Sequence, residues 1–287
     1  MSSYRADALF SVKGKTVIVT GGGSGIGKGM AAALAINGAK VIICGRRVEP
    51  IEETAAELNA AAKESSSGGQ VIAIQADVST KHGITDFYNK CEHIIDKLDY
   101  LVNNAGFSSN WKDQSPITDP LTLAKKLFSI DDVDFANMTA IHVAGPYLLG
   151  VKFIPLFQKS ADPSICNITS IASVFLNRAV CEFSYAQSKA AEAHMTTLMA
   201  AALQPFKIRV NSVCPGLFPS GLTTTSDGKL YSLLVGQLKN IPKGREGLVE
   251  EMAGPVMMLA TPAGGYINGA NLVIDGGWVL NSSANDV

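Results

Sequence analysis

The sequence predicts an α/β fold, a doubly wound parallel sheet with helices on both faces. Three observations predict it. Apolar, strand-like runs alternate with helix-like segments along all 287 residues. Those runs are apolar at every position rather than at every second one, as in strands covered on both faces. A glycine-rich stretch directly follows the first run and opens a helix. No internal repeat and no linker breaks the alternation. Residues 1–287 therefore read as one domain, with 1–12 as an N-terminal arm.

In chain order, Thr16 to Thr20 is the first strand, since β-branched residues suit a pleated surface. Gly21 to Gly27 is a loop, and Ile26 to Asn37 is an Ala-rich helix stopped by Gly38. Lys40 to Cys44 is the second strand. Glu49 to Lys63 is a helix, and Ser65 to Gly69 is a flexible surface loop. Val71 to Gln75 is a strand, Thr80 to Lys97 a helix, and Tyr100 to Asn103 a strand. Asp131 to Phe157 reads as a long helix, which Pro146 and Pro155 kink or trim. Ile165 to Thr169, Arg209 to Val213 and Asn271 to Ile274 are the remaining strands. The long segments 107–130 and 215–242 both follow strand ends. Doubly wound sheets bind ligands there, so both are expected over the site.

Composition narrows the function. The hydrophobic share of 47% allows a sizeable core, and the net charge of −1 makes no electrostatic case for nucleic acid or an anionic membrane. No apolar run approaches the ~18 residues of a membrane span. The first residues lack the apolar core of a signal peptide. The five cysteines, Cys44, Cys91, Cys166, Cys181 and Cys214, show no metal-ligand spacing. Cys44 and Cys166 fall inside apolar runs, which suits buried free thiols and a reducing compartment, the cytosol.

The chemistry centres on Ser170 to Lys189. Tyr185 and Lys189 are four residues apart in a segment whose Ala-rich continuation favours helix. That spacing puts them on one face, with Cβ atoms about 5–6 Å apart. A phenol alone is a poor acid at neutral pH, and a neighbouring ammonium favours its ionised form. Such a pair can donate and accept a proton near neutrality. Ser170 ends a strand-like run, where its hydroxyl can reach the same point. Alone, the spacing also fits two solvated helix residues. In the run Thr20-Gly-Gly-Gly-Ser-Gly-Ile-Gly27, glycines let the backbone approach a pyrophosphate, and the helix N-terminus favours its charge.

Taken together, these stretches resemble the short-chain dehydrogenase/reductase family over nearly the whole chain. Thr20 to Gly27 resembles the family's cofactor loop, with Gly21, Ser24, Gly25, Ile26 and Gly27 as cofactor contacts. Asp77-Val78 resembles its adenine-contacting pair. The run Asn103-Asn104-Ala105-Gly106 matches its Asn-Asn-Ala-Gly element beside the cofactor. Ser170, Tyr185 and Lys189 fall where its catalytic triad falls. Asn211 with Pro215-Gly216 resembles its strand end at the nicotinamide carboxamide, and Asp275 to Gly277 its C-terminal signature. Ser220 stands where a Thr often touches the cofactor. The resemblance implies a Rossmann fold, a nicotinamide cofactor and a homodimer or homotetramer. It also implies that Tyr185 protonates the substrate oxygen while Ser170 hydrogen-bonds it. Lys189 would then assist Tyr185 and bind the nicotinamide ribose.

Cofactor choice is read at the end of the second strand. A carboxylate there binds the ribose 2′-hydroxyl of NAD, and a cation binds the 2′-phosphate of NADP. Gly45 occupies the family's Asp position, and Arg46 and Arg47 follow, which predicts NADP(H). The long helix departs from the family. The family's Asn-x-x-Gly, which relays water to the catalytic Lys, here reads His142-Val-Ala-Gly145. Either His142 is a tolerated variant and the helix backbone still holds the water, or its imidazole joins the proton relay or faces the substrate. The interval from Ser170 to Tyr185 is also about two residues longer than the family's, which would reshape the pocket wall near Phe175, Asn177 and Cys181.

The expected function is NADP(H)-dependent reduction of a ketone, or oxidation of a secondary alcohol. Two alternatives stand beside it. One is a non-redox dehydratase, isomerase or cyclase on the same scaffold. The other is a nucleotide-sensing protein without catalysis, against which the intact Ser-Tyr-Lys set argues. Trp111 and Leu217-Phe218 suggest a bulky, partly apolar substrate such as a polyketide, acyl or polycyclic ketone, in the manner of secondary-metabolism ketoreductases.

Overall fold

A computed structural model of the chain describes residues 4–108, 112–113, 115–175, 182–225 and 227–284, without the side chains of 282–284. Trp111, Asn177 and Cys181 lie outside the described residues.

Seven parallel strands form one sheet in the order β3-β2-β1-β4-β5-β6-β7. They are β1 (Thr16–Thr20), β2 (Lys40–Gly45), β3 (Gln70–Gln75), β4 (Tyr100–Asn103), β5 (Ser164–Ile168), β6 (Arg209–Pro215) and β7 (Asn271–Ile274). Successive side chains of a strand point to opposite faces, so an all-apolar strand feeds two cores. Val17, Val19, Val41 and Ile43 enter one core with Met30, Leu34 and Val256. Ile18, Ile42 and Leu101 enter the other with Phe87, Phe153 and Met195. The order reverses between β1 and β4, and that switch point is where a doubly wound sheet opens a crevice.

The helices Gly25–Ile36 and Val48–Glu64 lie close to the expected bounds. The helix expected over 80–97 is shorter, Lys81–Glu92, with Thr80 Oγ1 accepting from the Gly83 N–H at 3.0 Å. Beyond it the chain turns, and Leu98 N donates to the Leu156 carbonyl at 3.1 Å. That tertiary bond and the burial of Ile95 and Leu98 override the local preference for helix.

The helix expected over 131–157 is divided. It runs as Asp132–Thr139, a π turn over Ala140–Ala144, Gly145–Lys152 and a last turn Ile154–Phe157. Pro146 has no N–H to offer the carbonyl four residues before it, that of His142. The register slips instead to a five-residue closure, with Gly145 N donating to the Ala140 carbonyl. Pro155 stands in the first turn of Ile154–Phe157, just past the second break. The long segments after β4 and β6 carry short helices of their own, Pro120–Leu127 and Ser232–Val235.

Candidate active site

The glycine loop is bolted to the end of β4. Thr20 Oγ1 accepts from the N–H groups of Asn104 and Ala105, both at 2.9 Å. The Asn104 side chain returns two bonds, to the carbonyls of Thr20 at 2.9 Å and Gly21 at 3.3 Å. Gly21 has φ +66°, and a Cβ on Gly27 would stand 2.3 Å from the Gly21 carbonyl oxygen. Neither position has room for another residue. Ser24 holds the N-cap position of the helix that begins at Gly25 without a side-chain capping bond, and Ile26 packs against the core beneath. Ser220 closes on the loop from the segment after β6. Its Cβ would meet a Cβ on Gly25 at 3.0 Å.

A cavity of about 470 Å³ opens over this loop. Gly21, Ser24, Arg46, Arg47, Asp77 and Val78 line it, and Ala105 and Gly106 close its inner side. Asp77 accepts from Ser79 Oγ at 2.6 Å and Ser79 N at 3.0 Å. The Ser79 hydroxyl holds its carboxyl below the usual range against the opposing effect of burial, and Arg46 adds to that. The Arg46 guanidinium lies 5.8 Å from the centre of the Phe107 ring. Both Arg46 and Arg47 are exposed, and Gly45 leaves the end of β2 without a carboxylate.

Tyr185 and Lys189 occupy the first two turns of the Phe183–Leu203 helix, beside the end of β5. Lys189 Nζ donates to the carbonyl of Ile168, the last residue of β5, at 2.9 Å. It also donates to Glu192 Oε2 at 2.8 Å and lies 5.9 Å from the centre of the Tyr185 ring. Ser170 stands two residues past β5, and its Oγ accepts from Ala172 N at 3.1 Å. That contact occupies a lone pair and leaves the hydroxyl proton free to donate. Pro215 ends β6, and Gly216 donates to the Ile274 carbonyl at 3.0 Å against the face of Asp275. Asn211 is a buried staple, bonded to the Ile267 carbonyl and Ala270 N–H.

His142 sits between the two halves of the site. It is 1% exposed and meets the Tyr185 ring edge-on, with centroids 5.4 Å apart. A Cβ on Gly106 would lie 2.7 Å from its Nε2, so Gly106 is what admits the imidazole. Its Nδ1 is 2.9 Å from Ser188 Oγ, and that hydroxyl donates to the Tyr185 carbonyl at 2.7 Å. With the single serine proton committed there, Nδ1 carries the imidazole proton and Nε2 is the bare nitrogen. Among the described residues Nε2 has no hydrogen-bond partner. Burial, with the Lys189 charge adding to it, pushes the imidazole pKa down to about 2.

Three residues of the site fall outside the motifs read in the sequence. Glu182 caps the Tyr185 helix, accepting from Ser184 N at 2.8 Å and Tyr185 N at 2.9 Å. Ser188 orients His142. Glu192 pairs with Lys189, and its spacing of three residues on a helix was the available signal.

The family model described as "short chain dehydrogenase" matches residues 15–229. A short-chain dehydrogenase/reductase of Diaporthe leptostromiformis, PhomF, is 36% identical, covering 96% of this chain and 94% of that protein. The rhamnolipids biosynthesis 3-oxoacyl-[acyl-carrier-protein] reductase of Pseudomonas aeruginosa is 34% identical over 94% of this chain and 98% of its own. Among solved structures, the Pseudomonas aeruginosa RhlG/NADP active-site complex superposes with a TM-score of 0.77 at 31% identity, covering 94% of this chain and 98% of that one. The seven-stranded parallel sheet, the glycine loop at its switch point and these matches agree. The chain is an oxidoreductase for a small-molecule substrate with a nicotinamide-dinucleotide site, and it belongs to the short-chain dehydrogenase/reductase family.

Proposed function

We propose that the protein is an NADP(H)-dependent enzyme that reduces the ketone of a bulky small molecule, or oxidises the matching secondary alcohol. The observation that carries the reading is the buried Lys189 ammonium, held between the end of β5 and the Tyr185 ring. A cation in that place stabilises the phenolate left when Tyr185 gives its proton away.

The cofactor fits on the chain's own features. The Gly21 to Gly27 loop bares backbone N–H groups at a helix N-terminus, where a pyrophosphate is favoured. Arg46 and Arg47 line the same cavity with no carboxylate at Gly45, which suits a 2′-phosphate. Asp77 and Val78 would border the adenine, Asn104 to Gly106 the ribose side, and Pro215, Gly216 and Ser220 the nicotinamide side. Bound NADPH supplies the hydride. Tyr185 donates its hydroxyl proton to the substrate oxygen. The Ser170 proton, free of the Ala172 contact, is given as a hydrogen bond to that oxygen and stabilises its charge. Lys189 steadies the phenolate and reaches the ribose. His142 stays neutral and spaces Gly106 from Tyr185, which favours a structural role for it.

The whole chain acts as one dinucleotide-binding and catalytic domain, and the segments 107–130 and 215–242 shape the substrate side. Phe107 lies toward His142, with centroids 6.4 Å apart, which supports this for the first segment. The partner is a second copy, as homodimer or homotetramer. Exposed Tyr147, Val151, Phe183 and Leu198, on two helices that meet where Met199 packs over Gly150, support that. Cytosol is the proposed compartment, on the buried free thiols of Cys44, Cys91, Cys166 and Cys214. No helix among the described residues is long and apolar enough to cross a membrane.

The test follows NADPH absorbance and product together over a panel of bulky ketones. Oxidation of NADPH in step with alcohol formation, and faster than with NADH, is expected. Product formed without NADPH consumption would overturn the redox reading in favour of a dehydratase, isomerase or cyclase.

A further inference from the structure

A carboxylate stands where a motif-based reading expects only helix surface. Glu192 is 2% exposed and 2.8 Å from Lys189 Nζ, one helical turn beyond it. Lys189 is buried as well. Its ammonium spends one proton on the Ile168 carbonyl and one on Glu192, which leaves one for the site. Beneath the pair a polar chain joins the strands to the helix. Asn103 Nδ2 donates to Asn167 Oδ1 at 2.8 Å, Asn167 Nδ2 to Thr196 Oγ1 at 2.8 Å, and Thr196 Oγ1 to the Glu192 carbonyl at 2.9 Å. That chain fixes the turn from which the Glu192 carboxyl reaches forward. A buried charge persists only when paired, and in a low-dielectric surround the partner's state is felt strongly.

We infer that Glu192 is a positioning residue of the active site. Its carboxylate clamps the Lys189 ammonium beside Tyr185 and sets how much of that positive charge the Tyr185 hydroxyl feels. The inference rests on the acid role of Tyr185 and the supporting role of Lys189 proposed above. With Glu192 ionised, the pair is close to neutral and the Tyr185 proton is held more firmly. With Glu192 neutral, the ammonium stands uncompensated and the phenolate is favoured.

The surroundings leave this control to the pair. Lys189 and Tyr185 share its helix. From β5 the Cys166 thiol faces it, and from the π turn His142 faces Lys189. Burial pushes Cys166 up to about 12 and His142 down to about 2, so neither carries charge at working pH. From β6, Cys214 is likewise raised by burial, and Arg209 is committed to Asp162 and to the carbonyls of Gly264 and Leu259. On the Asp132–Thr139 helix, Asp134 pairs with Lys112 at 2.7 Å, and Asp132 is exposed. Burial, opposed by Lys189, raises the Glu192 carboxyl to about 7, which puts its own change of state inside the working range.

Glu192→Gln tests the inference, since it keeps the shape and an acceptor oxygen but removes the charge. Two readouts are taken. One is the pH profile of kcat/KM. The other needs no substrate or cofactor: the tyrosinate absorbance titration, with the same titration in a Tyr185→Phe background subtracted. In the Gln variant both should move to lower pH by about one unit, a tenfold change in proton affinity. Glu192→Asp, which restores the charge, should move them back toward wild type. Glu192→Leu removes charge and acceptor together and should lower kcat about tenfold or more while KM changes less. Profiles of Glu192→Gln that superimpose on wild type would overturn the inference, whatever the Leu variant does. If Tyr185→Phe itself keeps the wild-type rate, the acid role of Tyr185 falls first, and the Glu192 inference falls with it. If Tyr185→Phe is inactive and the Glu192→Gln titrations do not move, the Glu192 inference alone falls.

Discussion

Ser188 and His142 share one hydrogen bond whose direction is settled by a third group. The Ser188 hydroxyl gives its proton to the Tyr185 carbonyl at 2.7 Å, so it can only accept from His142 Nδ1 at 2.9 Å. Burial, with the Lys189 charge adding to it, keeps the imidazole neutral, and the Ser188 bond holds it edge-on to the Tyr185 ring with its bare nitrogen toward Gly106.

A neutral buried histidine has a cost that depends on pH. Its folded pKa lies near 2 and its unfolded value near 6.5, so only the unfolded chain takes up a proton between them. Stability from this group is complete above about pH 6.5 and falls as pH drops through that window. Between pH 7 and pH 5 the loss is about 2 kcal/mol. His142→Asn should show that much less acid destabilisation in urea unfolding at the two pH values. Its rate should equal or exceed wild type. A loss of about 10²-fold would instead mark His142 as a proton carrier.

Arg46→Ala should raise the NADPH dissociation constant by roughly ten- to a hundredfold, the worth of a charge-assisted bond to phosphate. The NADH constant should move by no more than a few-fold. Fluorescence titration with both cofactors checks this, and equal losses would remove Arg46 from 2′-phosphate recognition.

Gly27→Ala places a methyl group 2.3 Å from the Gly21 carbonyl and 2.4 Å from Asn104 Nδ2. Both neighbours are tied to Thr20 or its bonds, so neither can yield freely. The expected cost is about 1–3 kcal/mol of stability, with cofactor affinity lost because the loop is displaced. Thermal unfolding with and without NADPH reads both effects, and an unshifted Tm with intact cofactor stabilisation would contradict the packing.

Lys189→Ala should weaken turnover and cofactor binding together. It also leaves the Glu192 carboxyl buried without its countercharge. A carboxyl whose folded pKa is raised loses stability as pH climbs through that value. The variant should therefore be more destabilised at pH 8 than at pH 6, by urea unfolding. An equal penalty at both would contradict the pairing.

Much of this site was legible in the residues. The strands announce themselves because both faces of a parallel sheet are covered, so β1, β2 and β4 read as unbroken apolar runs. The glycine loop is legible because Gly21 and Gly27 answer a steric demand that few other residues meet. Other features depend on what lies across the fold. Pro146 signals a break in the long helix, but a π turn that brings His142 over Gly106 also needs Val78, whose carbonyl would lie 2.5 Å from a Cβ on Gly145. Glu182 and Glu192 read as ordinary charges on a helix. Only the packing of that helix on β5 and β6 buries them, and no local pattern records it. The helix reading of residues 93–97 fails for the same reason, since the Leu156 carbonyl that holds Leu98 is distant in the chain.

The most direct test of the account is Tyr185→Phe, which removes the hydroxyl and keeps the ring. Turnover and NADPH affinity are measured on the same preparation, turnover with a ketone the wild type reduces. The account predicts a fall in kcat of about 10²–10⁴-fold, with the NADPH dissociation constant within a few-fold of wild type. Retention of most of the wild-type rate would contradict it, because some other group would then be supplying the proton.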